Sequence, residues 1–504
     1  MFDLTVGAFA SALTPTTLVL ILAGTILGVA VGAIPGLSSA IGLAIVLPFT
    51  FVLAPEPAIL MMVAIYMAAQ YGGSITAIVI GVPGTPPAVA TTFDGYPMTQ
   101  RGETARALGI SIVSSVAGGV FGVLILMLAF GPIARFALAF GPAEYFALGL
   151  FGLAIVANMM GESLAKGLIS VVLGLLLFVV GVDVMSGYPR LTFGTTSLLD
   201  GIHIIPTLIG FFAVAEVLRL VGGSTTAGVA RPTISGKLVS LKELRGLIPT
   251  IFRGSVIGSV VGAIPGAGAT IASLIAWNEE QRFSKTDEKF GTGVAAGISA
   301  PEAANNSSVG AAMIPLLSLG IPGSASTAIL LGGFMLHGIN PGPLLVVEQA
   351  ELVYAIYAGF IVAAFFMLGV GLLGIPVWVR IISLPVRILA PLILGVSVVG
   401  AYALSNRVFD VWLTLGFGVL GYVMLRLKIP LVPAILGLVL GFMVEANYRR
   451  ALAISGGDHM VFLTNPISLT LLILAVLSFA VPLIRRTMMD RVDAQRSADP
   501  EPVS

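Results

Sequence analysis

The sequence has no cysteine, which excludes disulfides, thiolate metal sites and thiol nucleophiles. Charge is scarce as well. Only 10% of residues are Asp, Glu, Lys or Arg, against about 25% in a soluble domain. Such a chain cannot cover itself with a water-facing polar shell, and a lipid-facing surface is the natural alternative. A net charge of +1 with no clustered stripe of Lys and Arg excludes a nucleic-acid partner. The N-terminus lacks a basic region, its one early charge being Asp3. The first apolar stretch is therefore expected to be a retained span and not a signal peptide. No G-x4-G-K-[ST], H-E-x-x-H or G-x-S-x-G occurs. Gly266-Ala267-Gly268 lacks the third glycine of a dinucleotide site. The histidines at 203, 337 and 459 are too scattered to form a metal site. No motif recommends an enzyme.

What the sequence does have is apolar length. It is 57% hydrophobic, with a mean hydropathy of +1.06. A spanning helix needs about 20 apolar residues. Candidates lie near 17–33, 106–130, 143–160, 164–182, 203–222, 249–264, 353–378, 387–405, 408–427, 430–446 and 466–484, with Glu216 and Arg253 as internal charges and Asp410 at the start of its span. Between them, Gly and Pro interrupt the apolar stretches 36–93 and 266–343. Proline removes a backbone donor and clashes with the preceding turn, so broken helices or re-entrant hairpins are expected there. The alternation of a β-barrel is absent. The expected fold is an all-α polytopic membrane protein of about 11–14 membrane segments.

The strongest pattern is a repeat. Gly24, Gly28, Gly32, Pro35 and Gly36 follow the same spacing as Gly254, Gly258, Gly262, Pro265 and Gly266. Ala68–Gly73 resembles Ala303–Ser308, and Gly81-Val82-Pro83-Gly84-Thr85 resembles Gly320-Ile321-Pro322-Gly323-Ser324. Asp94-Gly95-Tyr96-Pro97 is a weaker match to the stretch from His337 to Pro341. The expected organisation is a first transmembrane repeat over 1–222, broken at 32–39 and 70–97. A basic cytoplasmic linker follows at 223–248, then a second repeat over 249–484, broken at 262–270 and 302–343, and a polar cytoplasmic tail at 485–504. The loop after the first copy is basic (Arg101, Arg106) and the loop after the second is acidic (Glu348, Glu351). Positive charge favours the cytoplasm, so the halves are expected to be inverted. Arg231, Lys237, Lys242, Arg245, Arg253, Arg426, Lys428, Arg485 and Arg486 agree with this orientation, whereas Arg407, Arg449 and Arg450 run against it.

Inverted repeats with paired broken helices are the architecture of secondary transporters, whose site lies where the breaks meet. Few side-chain charges are available there: Glu56 is the one charge from Leu4 to Phe93, and His337 the one ionisable group from Ala303 to Val347. The breaks offer backbone instead. Ser38, Ser39, Thr85, Thr270 and Ser324 stand at or near the restarts, where hydroxyls can cap helix N-termini and free N–H groups suit a carboxylate. The expected substrate-binding set is Pro35, Gly36, Ser38, Ser39, Gly81, Pro83, Gly84, Thr85, Pro265, Gly266, Thr270, Asn305, Asn306, Gly320, Pro322, Gly323 and Ser324. The expected ion-coupling set is Gln70, Ser74, Glu302 and Ser307, with Na⁺ or H⁺ as the ion. Plainer readings exist. The glycine ladders fit helix packing, the amides fit interhelical glue, and Asp94 beside Gly95 fits a turn.

Several of these motifs resemble the large membrane subunit of tripartite tricarboxylate transporters, the TctA-like family. The glycine ladder ending in Gly32-Ala33-Ile34-Pro35-Gly36, Tyr71-Gly72-Gly73-Ser74, Gly81–Thr85, Asp94–Pro97, Pro301–Asn306 and Gly320–Gly323 carry the resemblance. It implies a small membrane subunit of about four spans as a partner and a periplasmic solute-binding protein that delivers small carboxylates. It also implies uptake driven by a Na⁺ or H⁺ gradient with no other cofactor. The implied location is the bacterial inner membrane with a cytoplasmic C-terminus, and the implied movement is elevator-like. A stand-alone carboxylate carrier and a channel are the alternatives.

Overall fold

The computed structural model describes residues 7, 9–159, 163–183, 185–222, 234–284, 288–382 and 386–480. Arg231 and the tail with Arg485 and Arg486 lie outside these residues, as does part of the expected linker. The described chain is almost entirely helical, with one two-residue β-ladder. Eight of its helices are long and apolar enough to cross a membrane.

The chain gathers into two compact units, one of residues 1–139 and 203–427, the other of 140–202 and 428–504. In the first, α1 (Pro15–Gly32), α2 (Ser39–Thr50), α3 (Pro55–Ile80) and α4 (Val89–Gln100) are followed by the long α5 (Thr104–Ala137). The same order returns after α8 (Ile204–Gly222). There α9 (Ile248–Gly262), α10 (Gly268–Phe283), α11 (Ala295–Leu319) and α12 (Ala325–Leu336) precede α13 (Ala350–Leu373). Helices α14 (Val386–Ser405) and α15 (Val408–Arg426) complete the unit.

The glycine ladders explain how each half packs. A Cβ on Gly24, Gly28 or Gly32 would fall within 3 Å of the Met61, Ile65 and Ala69 carbonyls on α3. Gly254, Gly258 and Gly262 meet Ala300, Ala304 and Ser308 on α11 in the same stepped register. Small residues let helix backbones approach this closely where no hydrophobic drive separates helix from lipid. The ladders are thus contact faces inside their own halves.

Helices α3 and α11 are the interior. Nearly every residue of α3 from Ala58 onward, and of α11 from Gly297 to Ser318, is buried. Both run unbroken through segments expected to be interrupted, because Gln70–Ser74 and Glu302–Ser308 are helical. Gly72 and Gly73 are there for close approach, since a Cβ on Gly72 would strike Val29 on α1. Pro301 and Pro315 sit inside α11. The true breaks are short: 33–38, 81–85, 263–267 and 320–324. Gly81 and Gly320 end α3 and α11 in the left-handed region, each with φ 71°, a standard helix stop.

The two internal charges of the expected spans are paired, Glu216 with Arg219 and Arg253 with Glu280. Asp94 is not in a turn. It lies inside α4, fully buried. Its carboxylate accepts from Trp277 Nε1 at 2.9 Å and from the backbone N–H groups of Gly291, Gly293 and Val294 at 2.9–3.0 Å. It thereby supplies an anion at the entrance to α11.

The second unit holds α6 (Pro142–Met159), α7 (Leu164–Val179), α16 (Leu431–Ile454) and α17 (Pro466–Ala480). Gly174 on α7 meets Ala434 on α16, and Gly437 on α16 meets Val171 on α7. Leu168, Ile169, Val172 and Leu176 stand exposed on α7, as a lipid-facing stripe does. The ladder after α7 is tied by Arg449 to Asp183 and by Arg190 to Glu445, both at 2.7 Å.

Candidate functional site

The site grows from a polar seam between α3 and α11. Tyr66, Gln70 and Ser74 recur every fourth residue on α3, which puts them on one helix face. Ser74 donates to the Glu302 carboxylate, as do Thr91 of α4 and Ser115 of α5, the last at 2.7 Å. Glu302 is wholly buried. One turn further, Asn305 Nδ2 donates to the Gln70 backbone carbonyl at 3.4 Å. Tyr66 lies beside Ser324 at the start of α12.

Several groups on α3, on α11 and at the first break are buried without a protein partner: Gln70 Oε1, Tyr71 OH, Thr85 Oγ1, Asn305 Oδ1 and both amide atoms of Asn306. Leaving one such group unpaired costs about 1–3 kcal/mol.

The breaks close on this seam in pairs. In the first half, the Gly84 N–H donates to the Gly73 carbonyl at 3.0 Å. A Cβ on Gly84 would strike Gly32, and one on Gly73 would strike Thr85. In the second half, the Gly266 N–H donates to the Gly323 carbonyl at 2.8 Å, and Pro265 lies against Gly323. The halves also meet each other. Ser39 Oγ in the first turn of α2 lies 2.8 Å from Ser326 Oγ in the first turn of α12, so two helix N-termini converge where α3 presents Tyr66.

Most of the sequence-derived candidates are therefore in these contacts. Gln70, Ser74, Glu302, Asn305 and Asn306 line the seam; Gly84 and Thr85, with Pro265, Gly266 and Gly323, build the paired breaks; Ser39 and Ser324 join the converging helix starts. Others stand apart. Gly36 faces Leu220 and Arg219 near the end of α8. Gly81 packs on Tyr96, and Gly320 faces the Pro341 carbonyl. Pro35, Pro83 and Pro322 shape the breaks. Ser307 does not join Gln70, Ser74 and Glu302; it faces Gly258 on α9 and bonds back to the Ala304 carbonyl at 3.2 Å.

The capping expectation holds for one hydroxyl. Ser324 forms a capping box with Thr327, whereas Ser38 and Thr85 make no side-chain cap. Thr270 is already inside α10. Sequence reading missed Tyr66, Thr91 and Ser115. Their signal was helical spacing relative to Gln70 and Glu302, which needs the helix pairing to be known first.

An uncharacterised 52.8 kDa protein encoded in the TAR-I ttuC' 3' region of Agrobacterium vitis is 36% identical over 486 residues, covering 96% of this chain and 97% of that protein. An uncharacterised protein from the TAR-II ttuC' 3' region of the same organism is 38% identical over 227 residues, covering 45% of this chain and 94% of its own length. No solved structure matches. Residues 18–436 match the family described as the Tripartite tricarboxylate transporter TctA family. Since that match covers most of its length, the chain belongs to the tripartite tricarboxylate transporter TctA family.

Proposed function

We propose that this chain is the large, substrate-translocating membrane subunit of a binding-protein-dependent importer of small carboxylates, driven by a Na⁺ or H⁺ gradient. It works in the bacterial inner membrane, C-terminus in the cytoplasm, beside a periplasmic solute-binding protein and a small membrane subunit of about four spans. The repeats over 1–222 and 249–484 are inverted, and one part slides against the other in an elevator-like movement.

The observation that carries this reading is the buried seam of unpaired amides beside two converging helix N-termini. Positive helix ends suit a carboxylate, and Gln70, Asn305, Asn306 and Tyr71 supply neutral donors and acceptors around it. Among the described residues no three acidic or histidine side chains form a metal cluster. The coupling ion is assigned to the oxygens around Ser74 and Glu302, where three hydroxyls meet a buried carboxylate.

The test is uptake of labelled di- and tricarboxylates into proteoliposomes, with and without the two partners, under imposed Na⁺ or H⁺ gradients. Accumulation that needs the partners and one gradient is the expected result. Equilibration that ignores both would overturn it in favour of a channel.

A further inference from the structure

At the far end of α12 from the seam lies a second polar cluster. A cavity of about 270 Å³ is lined by His203 and Pro206 of the α8 entrance, by Gly332, Met335 and Leu336 of the last turn of α12, and by Ser405 of α14. Its walls are otherwise apolar. His203 Nδ1 lies 3.3 Å from Asp410 Oδ1 on α15. Arg407 Nη2 lies 2.8 Å from His203 Nδ1 and 2.7 Å from Nε2, and 3.5 Å from Asp410 Oδ1. Asp410 is fully buried, and its Oδ2 has no partner.

We propose that His203 and Asp410 form a proton-binding site, opened to water by this cavity and coupled to the seam through α12. Arg407 Nη2 lies against both ring nitrogens at once, which places it over the ring and not along one lone pair. A proton on His203 would put two cations within 3 Å of each other. The imidazolium then pairs with Asp410, whose spare Oδ2 can accept a second donor, and Arg407 is displaced. Arg407 lies in the turn between α14 and α15, next to Asn406, whose φ is 51°. The charged groups facing the ring are Arg407 and Asp410. The turn of α12 on the cavity carries none, although His337 follows it, and α14 offers only Ser405 and, nearby, Tyr402 among the described residues.

The coupling is geometric. Helix α12 is 12 residues long, or about 18 Å. Ser324 caps its start and Ser326 in its first turn meets Ser39 of α2, and its last turn forms the cavity wall. A Cβ on Gly332 would fall 2.8 Å from Leu208 on α8, so the two helices are in close contact there. A cation is favoured at a helix C-terminus and an anion at its N-terminus. A proton at one end of α12 and a carboxylate at the other therefore favour the same placement of the helix, and each raises the affinity of the other.

The coupling rests on the carrier reading; the proton site does not. Hydrogen exchange of the full chain in lipid nanodiscs reads the site directly. Between about pH 8 and pH 5.5, corrected for intrinsic exchange, protection of the 400–412 segment is expected to change about fivefold or more. His203→Gln should be flat while His337→Gln responds like the parent. A flat parent, or an unchanged response in His203→Gln, overturns the site. Should His203→Gln elute aggregated, Asp410→Asn serves in its place with the same outcomes. Proton-driven uptake in proteoliposomes then tests the coupling, which His203→Gln should abolish; unchanged proton-driven uptake in that variant overturns it. If the parent takes up carboxylate only under a Na⁺ gradient, the coupling falls and the carrier reading stands; if it shows no uptake under either gradient while the exchange response stands, the carrier reading fails and the proton site survives.

Discussion

Helices α3 and α11 occupy equivalent places and differ in what they bring. They are 26 and 25 residues long, each lies on a glycine ladder, and each ends at a left-handed glycine of the same φ. Yet α3 brings one amide, Gln70, among the hydroxyls of Tyr66, Tyr71, Ser74 and Thr76, whereas α11 brings a carboxylate and two amides, Glu302, Asn305 and Asn306, beside Ser307 and Ser308. The segment after α11 restarts with a capping box, and the one after α3 restarts in a short 3₁₀ turn with no side-chain cap. Equal packing with unequal polarity indicates that the ladders hold the architecture and the second half supplies most of the chemistry.

The largest effect should come from attacking what the halves share. Gly32→Val and Gly262→Val both force a side chain into the backbone of the facing helix, where overpacking costs at least about 1–3 kcal/mol. Both should abolish monodisperse folded protein on size exclusion, and a large difference between them would break the equivalence of the ladders. Next comes the asymmetric part. Asn306→Leu removes two unpaired buried atoms, so melting temperature should hold or rise while carboxylate uptake falls about tenfold or more. A parallel loss of fold and uptake would make Asn306 structural. Glu302→Gln leaves three hydroxyl donors facing a weaker acceptor set and should cost about 1–3 kcal/mol, read by thermal unfolding in detergent. The finest contrast is at the restarts: Ser324→Ala should cost about 1 kcal/mol and Thr85→Ala almost nothing by the same measurement.

A pH effect is expected in the second unit. The Arg449 guanidinium beside Asp183 holds that carboxyl well below the usual carboxylate range. Its contribution is present above that range and fades as pH falls towards the depressed value. Asp183→Asn should therefore lower the melting temperature at neutral pH, and the gap to the parent should narrow in acid.

Much of this was legible because membrane helices are written in apolar length and Pro-Gly breaks in two residue types. The breaks at Pro35-Gly36, Pro265-Gly266 and Gly320–Ser324 were readable on that basis. The continuity of α3 through Gly72-Gly73 was not, because glycine marks both a break and a close contact, and the choice depends on α1. Asp94 was misread for a related reason: its partners Trp277, Gly291, Gly293 and Val294 lie far along the chain. Nor did anything local link His203 to Asp410.

The reach of Asp94 has a consequence for how the protein is made. Its backbone donor at Gly293 comes 199 residues later, a wait on the order of 10–40 s at ribosomal speed. Until then the first half sits in the bilayer with a carboxylate, and the polar stripe of α3, lacking their partners. Assembly of the newborn chain is thus ordered by synthesis itself, and a truncation before α11 should be a substrate for membrane quality control even though every earlier span has been inserted.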